Sequence, residues 1–128
     1  MDHSITEDNL IREIRSRFPE IEQEYQKACS PGYEPGRYQV TSMLRKQLDK
    51  HLSSGQLTQL EHRAAEFIEQ VCLSGSEEAL NTIWIRLFER WIHDPAKLHV
   101  IWPILSPKTR EKIRDAARRW KCPENVPR

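Results

Sequence analysis

Glycine is scarce in this chain, four in 128 residues, and runs of β-branched residues are almost absent. Both shortages argue against an all-β architecture. No apolar run approaches the ~20 residues that a membrane-spanning helix requires, so no membrane segment is expected. The opening MDHSITEDN has neither the basic nor the apolar region of a secretory signal peptide. Cysteine is limited to Cys29, Cys72 and Cys122, an odd number without CxxC spacing. Reduced thiols in a cytoplasmic protein explain that pattern better than a disulfide framework.

Chemical signatures are missing too. There is no phosphate-binding glycine loop, no Gly-x-Ser-x-Gly elbow, no HExxH and no calcium loop. The histidines His3, His51, His62, His93 and His99 have no His, Cys, Asp or Glu partner at helical spacing on a shared inward face. Cys29 has no local support as a nucleophile, and Glu77 and Glu78 sit where a helix start explains them. The expectation is a protein that is not an enzyme and uses no cofactor or metal.

What the chain does have is helical period. Between residues 76 and 93, Leu80, Ile83, Trp84, Leu87, Phe88 and Trp91 recur at the spacing of a buried helix face, widened by Ile85 and Ile92. Upstream, a capping box at Ser4–Glu7 predicts a first helix with Leu10, Ile11, Ile14 and Phe18 inward, ended by Pro19. Ile21, Tyr25 and Ala28 continue on a second segment, and SPGYEPGR (30–37) breaks the chain. A third helix, from Tyr38 to Ser53, stops near a left-handed Gly55. A fourth follows a capping box at Thr58–Glu61, with Leu60, Ala64, Phe67, Ile68, Val71 and Cys72 inward.

After His93-Asp94-Pro95 comes a short helical turn, from Leu98 to Trp102. The last helix, from Pro107 to about Lys121, presents Ile113, Ala116, Ala117 and Trp120 inward, and a flexible tail is expected from about Cys122. The fold expected is all-α: a single domain over 1–128, a bundle of five to six mostly antiparallel helices around the central helix at 76–93. A helical-repeat-like stack is the minor alternative.

Charge is unevenly spread. Residues 107–128 carry eight basic and three acidic side chains, a net +5, and the remainder carries twelve basic and sixteen acidic ones, a net −4. Half of those sixteen acids, Asp2 among them, precede Arg37. Two candidate binding surfaces follow. The basic patch of the last helix is Lys108, Arg110, Lys112, Arg114, Arg118, Arg119 and Lys121, suited to phosphates or to an acidic protein. The acidic one is Glu20, Glu22 and Glu24 beside Tyr25, Tyr33 and Tyr38, suited to a basic protein partner. On the central helix, Arg86, Glu89 and Arg90 read as a solvated face that gains interest only if it stays uncovered.

Phe18-Pro19-Glu20-Ile21 and the stretch EALNTIWIRLFE (78–89) resemble a family of small bacterial all-helical proteins of unknown function, over about residues 10 to 107. The resemblance implies two middle helices, a late Asn-containing amphipathic helix and no catalytic residues. It also implies a candidate toxin-immunity protein. The basic last helix lies outside the matched pattern. The function expected is therefore a non-enzymatic protein-binding module, an immunity protein that occludes a cognate toxin in the bacterial cytoplasm. The alternative is a nucleic-acid-binding or regulatory protein that uses the basic helix.

Overall fold

The computed structural model describes residues 4–128; Asp2 and His3, named above, lie outside them. The chain forms seven α-helices in these residues: α1 (Leu10–Arg17), α2 (Glu22–Ala28), α3 (Arg37–Leu52), α4 (Gln59–Ser74), α5 (77–92), α6 (Pro95–Ile101) and α7 (Pro107–Arg119). No strand occurs among the described residues; an isolated bridge between Ser30 and Tyr33 closes the turn at Gly32. The count exceeds the expected five to six because Pro19 separates α1 from α2 through a 3-10 turn, and 95–101 is a full helix rather than a turn.

Two helices share the centre. α5 packs against α3, α4, α6 and α7, while α1, α2 and α6 also pack on α3. These contacts reach past nearest neighbours, so the helices form one bundle and not a linear stack. The interior is built from the predicted ladders: Ile14 and Phe18, Leu44 and Leu48, Phe67 and Ile68, and Ile83, Leu87, Phe88 and Trp91 are all buried. Phe18 meets Phe67 edge to face, with ring centroids 5.6 Å apart.

α5 departs from a regular helix in its middle. Residues Trp84–Phe88 form a π turn, in which the Glu89 N–H reaches back five residues to the Trp84 carbonyl. The wider turn buries Leu87 and Phe88 yet leaves Trp84 half-buried. An apolar ladder fits either geometry, so spacing alone does not reveal the insertion. π turns recur at functional sites, which directs attention to this face.

The first helix begins later than its capping box suggests. α1 starts at Leu10, and Asn9, not Ser4, organises the approach: its side chain accepts from the Thr6 N–H (2.8 Å) and donates to the Ser4 carbonyl (3.1 Å). Residues 4–9 instead lie across the α4–α5 junction. Ile5 is fully buried, and its carbonyl accepts from the Ser76 N–H at 2.9 Å.

That junction is tightly specified. A side chain at Gly75 would place a Cβ 2.6 Å from the Val71 carbonyl oxygen, so the chain can leave α4 this closely only at glycine. Ser76 then caps α5, its Oγ accepting from the Ala79 N–H at 3.1 Å. Ser76→Ala should lower stability by about 1 kcal/mol. A urea titration should show a lower midpoint with unchanged slope; an unchanged midpoint would show the cap to be dispensable.

The C-terminal region corrects the expectation for Trp120. Trp120 does not point inward: it is the residue after α7 and is 46% exposed, with its ring edge-on to His93 at 6.1 Å. The helix ends at Arg119, so Trp120 has already left helical geometry, and Lys121 after it turns the chain with a left-handed φ of 58°. Thr109 and Val126 are buried in this region instead. Residues 122–128, expected as a flexible tail, fold back onto the body. The Cys122 N–H donates to the Ala117 carbonyl (2.9 Å) and Asn125 Nδ2 to the Ile92 carbonyl (3.0 Å).

Candidate functional site

The acidic and tyrosine residues of the N-terminal half are not gathered into one open surface. Glu22 is held by a forked pair of bonds from Arg15 (2.9 and 2.6 Å) and by Gln26 Nε2 (2.8 Å). The Arg15 bonds, then Gln26, bring its carboxyl down to about 2. Glu20 pairs with Arg63, which holds its carboxyl below the ordinary range, and Glu24 pairs with Lys46 at 3.0 Å. Each acid thus has an internal partner. Tyr25 is buried beneath the Arg15 guanidinium, 4.1 Å from its ring, whereas Tyr33 is exposed and bonds Gln39 (2.6 Å). Only Tyr38 lies against the central helix, where its hydroxyl accepts from Asn81 Nδ2 at 3.2 Å.

The basic residues of α7 divide as well. At about 100° per residue, Lys108, Lys112 and Arg119 fall on one flank, and Arg110, Arg114 and Arg118 on the other. Glu111 and Asp115 occupy the outer crest between them, where each pairs with a basic neighbour, Lys108 and Arg118 respectively. Arg110 and Arg114 both lie 5.3 Å over the Trp102 ring, and Arg110 also donates twice to the Trp102 carbonyl. Lys121 falls beyond the helix. Arg119 turns the opposite way, 5.9 Å over Trp84 of α5.

Tyr38 and Arg119, one from each predicted patch, therefore converge on the same helix. Around them the outer side of α5 forms a continuous polar-aromatic face. Glu77, Leu80, Asn81, Trp84 and Arg119 line a shallow cavity of about 220 Å³. Asn81 also reaches Tyr38, which is flanked by two guanidinium groups: Arg37 at 5.1 Å and Arg86 at 5.5 Å from its ring. Arg37 is in turn fixed by Thr82 Oγ1 (3.2 Å) and Glu78 (3.5 Å). Asn81, Trp84 and Arg86 of α5, Arg37 and Tyr38 of α3 and Arg119 of α7 thus gather at one surface. Tryptophan, tyrosine and arginine are the residues that dominate binding energy at protein interfaces.

Arg86 is one of the three central-helix residues, with Glu89 and Arg90, that gain interest if uncovered, and it is half-buried. Of the two residues named with it, Arg90 is exposed and Glu89 partly buried. Trp84, Asn81 and Arg37 are members that sequence reasoning assigned elsewhere: to the core, to the family pattern and to a loop end.

A second polar group was also missed. Glu61, fully buried, accepts from the Thr58 hydroxyl at 2.7 Å and faces His51 Nδ1 at 2.7 Å. The partner of His51 comes from the next helix, so helical spacing within one element cannot reveal it. Among the described residues no group of three His, Cys, Asp or Glu side chains is placed to hold a metal, and no helix is long and apolar enough to cross a membrane.

The architecture defines a small all-α domain with an aromatic and arginine-rich face on its central helix. The chain belongs to the family described as a domain of unknown function, DUF7674, whose model matches residues 11–121. That span takes in α7, which the resemblance seen in the sequence left out. No curated protein and no solved structure matches the chain.

Proposed function

We infer that this chain is a protein-binding module whose contact surface is the Tyr38–Asn81–Trp84 face of α5. The reading extends to an immunity protein, one that occludes a cognate toxin in the bacterial cytoplasm with a preformed surface. The observation that carries it is the convergence of Tyr38, Trp84 and three arginines on one rigid helix face. Stacked guanidinium groups and a tyrosine bonded to Asn81 lose little freedom on binding, which favours affinity. The basic helix supports a nucleic-acid reading less well, because Glu111 and Asp115 hold the crest where a phosphate-tracking helix needs cations.

Co-expression with the product of the neighbouring gene tests this. The neighbour should be toxic alone, tolerated with the wild-type chain, and recovered with it in a stoichiometric complex. The variant Tyr38→Ala should weaken that complex by at least about tenfold, as loss of a central interface aromatic does. Lys27→Ala, at an exposed position on α2, should leave it unchanged. A neighbour that is neither toxic nor bound removes support for the immunity reading.

A further inference from the structure

We propose that the fold-back of residues 122–128 onto α7 builds a binding site for a carboxylate attached to a compact apolar group. The site is separate from the α5 face: it lies on the Trp102 flank of α7 and does not depend on the function proposed above. Its cavity is about 240 Å³. Ala117 and Val126 form an apolar floor, both buried, and Pro123 contributes to the wall. Arg114, Arg118 and Arg128 supply the charge, and no acidic side chain lines the cavity.

The geometry is specified. Lys121 accepts a left-handed conformation that a non-glycine residue rarely adopts, and the returning segment is pinned at Cys122, Asn125 and Val126. The Arg114 guanidinium lies 5.3 Å over the Trp102 ring, which orients it. Neither Arg114 nor Arg128 has an ion-pair partner among the described residues, and Asp115 engages only Arg118. A guanidinium pair recognises the two oxygens of a carboxylate through forked hydrogen bonds. The apolar floor then favours an acid with a hydrocarbon body over a bare inorganic anion, since a bare anion would leave Ala117 and Val126 facing its hydration shell. The proline contributes no N–H that could substitute for the arginines.

Two sources present this chemistry: a free small acid, and the terminal carboxylate of a peptide ending in an apolar residue. A nuclear magnetic resonance titration of the full chain distinguishes them. Phenylacetate should produce saturable shifts at Ala117 and Val126, while neutral phenylacetamide produces none. Inorganic phosphate should bind at least about tenfold more weakly than phenylacetate, because it cannot use the floor. The double variant Arg114→Gln/Arg128→Gln, at exposed positions, should lose at least about tenfold in phenylacetate affinity with helical circular dichroism unchanged.

A peptide ending in phenylalanine with a free terminus that binds more tightly than phenylacetate assigns the site to a chain terminus. Weaker binding of that peptide assigns it to a free acid. Equal binding of phenylacetate and phenylacetamide overturns the proposal, as does phosphate binding as tightly as phenylacetate. The amide comparison uses the unaltered chain, so it decides the matter even where the double variant folds poorly.

Discussion

Trp91→Ala should lower the stability of this domain by about 3–5 kcal/mol, the largest single loss expected from any tryptophan. Its side chain is 1% exposed, and its indole Nε1 donates to Asp49 Oδ1 of α3 at 3.3 Å. Truncation removes a large buried apolar surface, opens a cavity at the contact between the two central helices, and strips a hydrogen bond from Asp49. Domains of this size are stable by only ~5–15 kcal/mol, so the variant should unfold at much lower urea or temperature. Trp91→Phe isolates the terms: it retains most of the ring packing and should cost about 1–2 kcal/mol. Equilibrium urea unfolding of both variants checks this. A loss below about 1 kcal/mol for the alanine variant would mean that α3 and α5 do not close on this ring.

Glu61→Ala should be the most damaging change to a polar residue, at about 3 kcal/mol. The carboxylate has no solvent exposure and is met by Thr58, through backbone and hydroxyl, and by His51. Burial pushes its carboxyl up, but the hydrogen bonds from Thr58 and His51 together hold it below the ordinary value. The sign for stability follows. A carboxyl lowered in the folded state stabilises the fold fully above its unfolded value, near 4.5 for Glu61, and that contribution is lost as pH falls through the lower folded value. Glu20 and Glu22 are lowered in the same sense. Stability should therefore fall as pH drops below about 4.5. Glu61→Gln should be less stable at pH 7 and show a shallower acid slope. A variant whose pH profile runs parallel to that of the wild type would contradict the role given to Glu61.

Most of the helical architecture was legible because it rests on local rules. The capping box at Thr58–Glu61 and the stop at Gly55 (φ +71°) lie where side-chain chemistry places them. The failures have one physical cause, since long-range packing overrode a local preference. Ser4–Glu7 satisfies a capping pattern, yet burying Ile5 against the α4–α5 junction holds that segment out of helix. Trp120 continues the inward period of α7, yet the helix ends at Arg119 and Trp120 itself has left helical geometry.

The site was legible in parts only. Tyr38 and Arg119 were each singled out, but for patches at opposite ends of the chain. Charge counted along a sequence does not reveal that Glu20, Glu22 and Glu24 are already paired with Arg63, Arg15 and Lys46. Nor does it reveal that the cations of α7 flank a crest of acids. The convergence on α5 depends on α3 and α7 packing on either side of it, which is a tertiary fact. Trp84, read as core from its spacing, is half-buried because the π turn rotates it toward the surface.

Hydrogen exchange of the chain with and without its partner tests the central claim most directly. The α5 face predicts slowed exchange confined to backbone amides around 37–38, 77–86 and 119 in the complex. Slowing confined instead to 20–34, with 77–86 unchanged, would contradict it.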